Sequence, residues 1–206
     1  GQPNSHRHSA HVWDSGSPGD YERVSNRLHR PGFVPANSLR GAALDSRGTL
    51  AVTGILRTTA NYGDAGCVMS FGSPGWTNIL DLGPVQAGTR DEVNDRFMDV
   101  ATDSQDNVVV AGIRSGAYPT DGYHVAALLR KYSPTGSLLW EKLQSSGAWS
   151  SAYGVCLDAS DNIYVAGAVF ANWSAEEGQW AIWKYDSAGA LLAGFSLTPK
   201  EPALRT

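Results

Sequence analysis

Three histidines, His6, His8 and His11, crowd the short stretch HRHSAH. Imidazoles at this spacing can hold Zn or Cu, but no carboxylate or cysteine stands among them, and the stretch reads as a polar tail rather than a metal site. Two acidic phrases repeat as D-x-x-D-N, Asp103 with Asp106 and Asp158 with Asp161. A calcium loop alternates oxygen donors over about twelve residues and keeps a glycine at its bend; neither feature is present, and side-chain capping of hairpin turns accounts for these residues. Lys131-Tyr132 and Lys184-Tyr185 look like paired functional groups, yet Ser70-Phe71 fills the same place in a related phrase. A strand whose aromatic ring packs between sheets and whose lysine stays in water fits all three. Glu176-Glu177 is an adjacent acidic pair, and neighbours on a strand point to opposite faces. No G-x-S-x-G, H-E-x-x-H, glycine-rich phosphate loop or carboxylate pair beside histidine occurs, so no catalytic residue, metal or cofactor is expected.

Composition narrows the class of protein and its partners. Apolar residues make up 42% and charged residues 17%, with 23 glycines and 10 prolines, which suits a turn-rich all-β chain. With 16 basic against 20 acidic side chains the net charge is −4, so nothing draws the chain generally to a phosphate backbone or anionic lipid, and nucleic acid is not an expected partner. No apolar run is long enough for a spanning helix. Gly1 in place of Met fits a processed product, such as removal of a secretory signal leaves. Cys67 and Cys156 are too few for a disulfide framework and stand in no metal-ligand spacing; both are expected as free, buried thiols.

The elements that position these groups come in copies. LDSRGTLAVTG (44–54), TDSQDNVVVAG (102–112) and LDASDNIYVAG (157–167) align, with a shared aspartate at Asp45, Asp103 and Asp158, 58 and 55 residues apart. A second phrase follows each: SFGSPGWTNIL (70–80), KYSPTGSLLWE (131–141) and KYDSAGALLAG (184–194). Within each unit apolar residues alternate, so Leu50 and Val52, Val108 and Val110, and Ile163 and Val165 are expected on one face. Four strands per unit follow. In the second unit they span 97–102, 107–112, 124–132 and 137–143, with DSQD and SPTG as tight turns. Gly54, Gly112 and Gly167 are expected to end the second strand, at a bulge or a close backbone approach.

Four antiparallel strands recurring every 40 to 55 residues are the mark of β-propeller blades. The Asp–turn–NVVVAG/NIYVAG phrase and the KY…G…W phrase resemble the bacterial β-propeller repeats of the SBBP type, akin to NHL and PQQ-like propellers, over roughly residues 38–197. The family's Gly-Asn at the first turn becomes Asp-Asn in two units and Gly-Thr in the first, and Trp140 becomes Ile79 and Ala193. The expected organisation is an irregular leader over 1–37 that can supply part of a preceding blade, then blades over 38–92, 93–150 and 151–206, the last with a C-terminal tail. Closed propellers need at least four blades. The ring is therefore expected to be incomplete, with the outer faces of the first and third blades bare until a longer polypeptide or another subunit covers them.

On this reading the chain is a non-enzymatic, secreted or periplasmic interaction module or accessory subunit that binds a protein or polysaccharide. Two alternatives stand beside it: part of a propeller enzyme, such as a glycan hydrolase or lyase, completed by missing blades, and a structural subunit of a larger complex. Connection lengths choose the binding edge. The turns between strands one and two and between three and four are short, whereas 55–66, 113–123 and 168–179 within blades, and 81–96 and 144–152 between them, are long. Long connections are where scaffolds place recognition. These carry Tyr62, Asp64, Tyr118, Asp121, Tyr123, Trp149, Phe170, Trp173 and Glu176, an aromatic and acidic mixture suited to stacking on sugars or anchoring in a partner.

Overall fold

A computed structural model of the chain describes residues 33–58, 64–80, 95–118, 122–144, 149–170 and 178–197. These residues form twelve β-strands and no helix. The first group is β1 (Phe33–Leu44), β2 (Leu50–Thr58), β3 (Asp64–Ser70) and β4 (Trp76–Leu80). The second is β5 (Arg96–Thr102), β6 (Val108–Tyr118), β7 (Gly122–Tyr132) and β8 (Leu138–Gln144). The third is β9 (Trp149–Leu157), β10 (Ile163–Phe170), β11 (Gln179–Tyr185) and β12 (Leu191–Leu197). Strands of the first group make a four-stranded antiparallel sheet, and the other eight make a larger mixed sheet. The larger sheet is mixed because of one parallel bridge, Val125 opposite Trp149; on either side of it the strands pair antiparallel in chain order.

Tight turns form because an aspartate side chain takes the place of backbone acceptors. Asp45 Oδ1 accepts the N–H groups of Arg47 and Thr49, Asp103 Oδ1 those of Gln105 and Asn107, and Asp158 Oδ1 those of Ser160 and Asn162. Asp186 does the same for Ala188 and Ala190 between β11 and β12. The fourth residue of the first turn is left-handed in every unit: Gly48 at φ 78°, Asp106 at 63° and Asp161 at 59°. Aspartate tolerates this region better than most residues, and here its carboxylate crosses to the preceding group. Asp106 accepts Ser46 N–H and Oγ–H, and Asp161 accepts Ser104 N–H and Oγ–H.

The first strand of each group carries the same bulge, between Leu39 and Gly41, between Phe97 and Asp99, and between Ala152 and Gly154. Opposite it stand Gly54, Gly112 and Gly167, where a Cβ would lie 2.4 Å from Ser38 O, 1.9 Å from Arg96 O and 2.0 Å from Ser151 O. The bulge is thus the reason for these glycines, as expected. They do not end their strands, however: β2, β6 and β10 run on to Thr58, Tyr118 and Phe170. Most of 113–123 is consequently an extended hairpin, paired out to Tyr118 opposite Gly122, because a bulge bends a strand without terminating its ladder. β1 likewise begins at Phe33, inside the stretch read as an irregular leader, while residues 1–32 lie outside the described residues.

Strict alternation divides the apolar residues between two interfaces. Val100, Val108, Val110, Leu128 and Tyr132 pack with Ala51 and Val68 of the first group. Val109, Ala111, Ala127 and Leu129 point the other way, onto Val155, Ile163, Val165, Trp183 and Tyr185 of the third. A further cluster, Val52, Leu56, Ala65, Cys67 and Met69, is buried on the other side of the first sheet, so the expectation that this face is bare is corrected. The outer face of the third group is bare among the described residues. It presents Trp180 at 64% exposure and Ile182 at 44%.

Both cysteines are free, but only Cys67 is buried; Cys156 is exposed, which corrects the expectation for it. Its positional counterparts Ala43 and Ala101 pack into the interfaces on either side of the second group. Cys156 occupies the same strand position on the uncovered face of the third group.

Candidate functional site

The long-connection edge brings two of its nine candidate residues into direct contact. Trp149 opens β9 and Phe170 closes β10; they are register partners, and their rings stack at 4.5 Å with 19° between planes. Trp149 Nε1–H donates to Ser151 Oγ at 2.8 Å, and the Phe170 ring covers the backbone of Gly178, where an added Cβ would come within 2.6 Å of it. This pair therefore forms a fixed aromatic corner at the rim. Asp64 is engaged inside the fold: its Oδ2 takes Arg96 Nη2 at 2.7 Å and Nε at 2.9 Å, and joins the first group to the second. Tyr118 and Tyr123 belong to the far end of the β6–β7 hairpin, Tyr118 opposite Gly122 and Tyr123 opposite Ala117. Tyr62, Asp121, Trp173 and Glu176 lie outside the described residues, as do His6, His8, His11 and the Glu176-Glu177 pair.

The short-turn edge holds what the sequence reading missed. Lys131 does not stay in water. Its Nζ lies 2.8 Å from Asp103 Oδ2, with side-chain exposures of 7% and 1%, and it donates to Ser187 O at 2.9 Å. Burial pushes the Asp103 carboxyl up, but the bonds from Lys131 and Asn107 outweigh it and hold the group below its ordinary value. The signal was present in the alternation: Ala127, Leu129 and Lys131 share one face of β7, and the first two are core. Lys184, at the same place in the third group, instead lies 4.9 Å over the Tyr164 ring.

At the junction of the first two groups, the same edge opens a cavity of about 260 Å³. Asp45, Arg47, Ser70, Thr102, Asp106 and Pro134 are among its walls. Arg47, also in the lining, lies 2.8 Å from Asp45 and 3.4 Å from Asp106, with a side chain 61% exposed. Burial raises the Asp45 carboxyl, while hydrogen bonds from Thr49 and Arg47 lower it further, so that it is held below its ordinary value.

Tyr132 and Tyr185 are buried as expected, and burial pushes the Tyr185 hydroxyl up to about 12. On the face of the second group that carries Leu128 and Tyr132, Glu141 binds Arg114 at 2.7 Å and Arg130 Nε at 2.6 Å, a part-buried cross-strand ion network through β6, β7 and β8. No protein-family model matches the chain, and no curated protein matches it either.

Proposed function

We propose that the chain is a section of a β-propeller and works as a non-enzymatic interaction module within a larger assembly. In this reading each four-stranded group is a blade. The first strands β1, β5 and β9 neighbour one another as inner strands do. Thr102 Oγ–H donates to Leu44 O and Val155 N–H to Asp99 Oδ2 across the two junctions. The observation that carries the assembly reading is the third group's outer face. Ala127 and Leu129 of the second group are each 3% exposed beneath the third, whereas their counterparts Trp180 and Ile182 are 64% and 44% exposed. Contiguous apolar surface of this sort marks an interaction site.

Recognition of a protein or polysaccharide then falls on the long-connection edge, where the Trp149–Phe170 corner and the β6–β7 hairpin carrying Tyr118 and Tyr123 supply aromatic groups. A secreted or periplasmic setting follows from the repeat resemblance. The assembly reading is tested at Cys156, which shares the exposed face. In the native assembly its thiol is expected to label slowly, and to label fast once the chain is separated; equal rates in both states would sink this reading. The edge is tested by comparing Tyr118→Ala and Trp173→Ala with Gln105→Ala and Thr135→Ala in partner binding. Loss confined to the short-turn pair would move recognition to the opposite edge.

A further inference from the structure

Ser70 and Lys131 hold the same place in consecutive groups. Ser70 pairs with Ala51 across β2–β3, and Lys131 pairs with Val109 across β6–β7, where Ala51 and Val109 are themselves counterparts. At the second junction the lysine reaches between the groups and sets its ammonium against two oxygens, Asp103 Oδ2 and Ser187 O. The counterparts of those oxygens at the first junction belong to Asp45 and Pro134. Both residues line the 260 Å³ cavity, and Ser70 forms part of its wall in place of the lysine. The cavity is the lysine slot with its lysine shortened to a hydroxymethyl group.

We propose that this cavity is a binding site for a primary alkylammonium group, either a free amine or the lysine side chain of a partner. The inference is independent of recognition at the long-connection edge. Asp45 and Asp106 carry two negative charges on the walls against the single positive charge of Arg47, whose side chain is 61% exposed. Thr49 stands where Asn107 donates its amide to Asp103 Oδ2, and at Asp45 Oδ2 the donor from the turn is instead the Arg47 guanidinium, Nη2 at 2.8 Å and Nε at 3.2 Å, so this oxygen already holds a cation that an incoming ammonium has to displace or share. Pro134 O accepts Trp76 Nε1–H at 2.9 Å, and a carbonyl oxygen has a second lone pair for an incoming ammonium. The volume falls just below the range of drug-sized sites, as suits a short alkyl chain.

The test is titration of the full chain with n-butylamine, followed by amide NMR, with n-butanol as the neutral isostere. Saturable shifts at Ser70, Thr102 and Thr135 are expected for the amine, with Kd about 1–10 mM, and none for the alcohol. Nα-acetyl-lysine amide separates the two sources: matching shifts mean that the mouth admits a partner's lysine, and their absence beside butylamine binding assigns the site to free amines. Ser70→Lys refills the slot from within and is expected to abolish butylamine binding while raising Tm. Arg47→Gln, which copies Gln105 at the surface, removes the competing cation and is expected to tighten binding about two- to fivefold. No saturable response in the wild type, an equal response to the alcohol, or unchanged binding in folded Ser70→Lys overturns the proposal. Should Ser70→Lys not fold, Arg47→Gln decides, and unchanged or weaker affinity overturns it.

Discussion

Lys131 and Asp103 form a buried ion pair, 2.8 Å from Nζ to Oδ2, that reaches past its own group to Ser187 in the next. Breaking one side of such a pair leaves a charge that burial penalises. Lys131→Met is therefore expected to destabilise the chain by about 3–5 kcal/mol, and the double change Lys131→Met, Asp103→Asn to recover much of that loss. Urea unfolding of the three variants measures both effects.

The same carboxylate makes stability depend on acid. Burial raises Asp103, and its hydrogen bonds and the Lys131 charge bring it below its ordinary value. A depressed folded pKa contributes stability that is fully present above the unfolded value of about 3.9 and is lost as pH falls through the folded one. The stability difference between wild type and Asp103→Asn should be flat from neutral pH to about 5 and shrink below about 4. Asp45 and Asp158, also held low by their turns, act in the same direction.

Gly112 and Gly154 should differ sharply in how far alanine destabilises the chain. At Gly112 a Cβ would stand 1.9 Å from Arg96 O, whereas at Gly154 its nearest neighbour is Asp99 Oδ2 at 3.7 Å. Gly112→Ala is expected to lose at least about 2 kcal/mol, because backbone at a bulge has to move. Gly154→Ala is expected to stay within about 1 kcal/mol of wild type. Chemical denaturation reads both, and equal losses would contradict the close approach.

The two thiols give a reporter of native structure. Burial pushes Cys67 up to about 12. Cys156 is also raised, by burial and then by Asp99 and Asp158, but it is exposed. A thiol reagent should modify Cys156 in the folded chain and reach Cys67 at least about tenfold more slowly, through unfolding.

Ser104 and Asp161 supply the clearest coupling across a junction, with the hydroxyl and the N–H of Ser104 both donating to one carboxylate. A double-mutant cycle of Ser104→Ala with Asp161→Asn is expected to give about 1 kcal/mol of interaction energy, since the site is exposed and the acceptor is charged. In the third group the serine's counterpart is Ala159. Ala159→Ser in the isolated chain should therefore leave stability unchanged.

Local patterns carried most of the strand and turn assignments. The turn aspartates, the bulge glycines and the two-faced alternation of Val108 to Ala111 are decided within a few residues, and these features hold in the fold. What the sequence hid depends on neighbours distant in the chain. Cys156 looks like Ala101 in its strand, and only the presence or absence of a facing sheet separates exposed from buried. Lys131 was set in water on its charge, although its strand position put it with Ala127 and Leu129. The cavity at Ser70 became visible once the register aligned that serine with the lysine. Among the edge candidates, Asp64 has a partner in Arg96, a residue 32 positions away whose side chain no local pattern would aim.

The second and third groups share one backbone bridge, Val125 with Trp149, and among the described residues the substantial packing between groups runs from first to second and from second to third. Mechanically this is a three-link chain: the middle link is clamped from both sides, the last from one. Opening should begin at the last link and travel inward, with amide exchange in β10 and β11 outpacing that in β6 and β7, as in nearest-neighbour arrays. Each junction can then be strengthened or loosened by substitutions in two adjacent links without disturbing the third, which makes the molecule modular in its energetics as well as in its sequence.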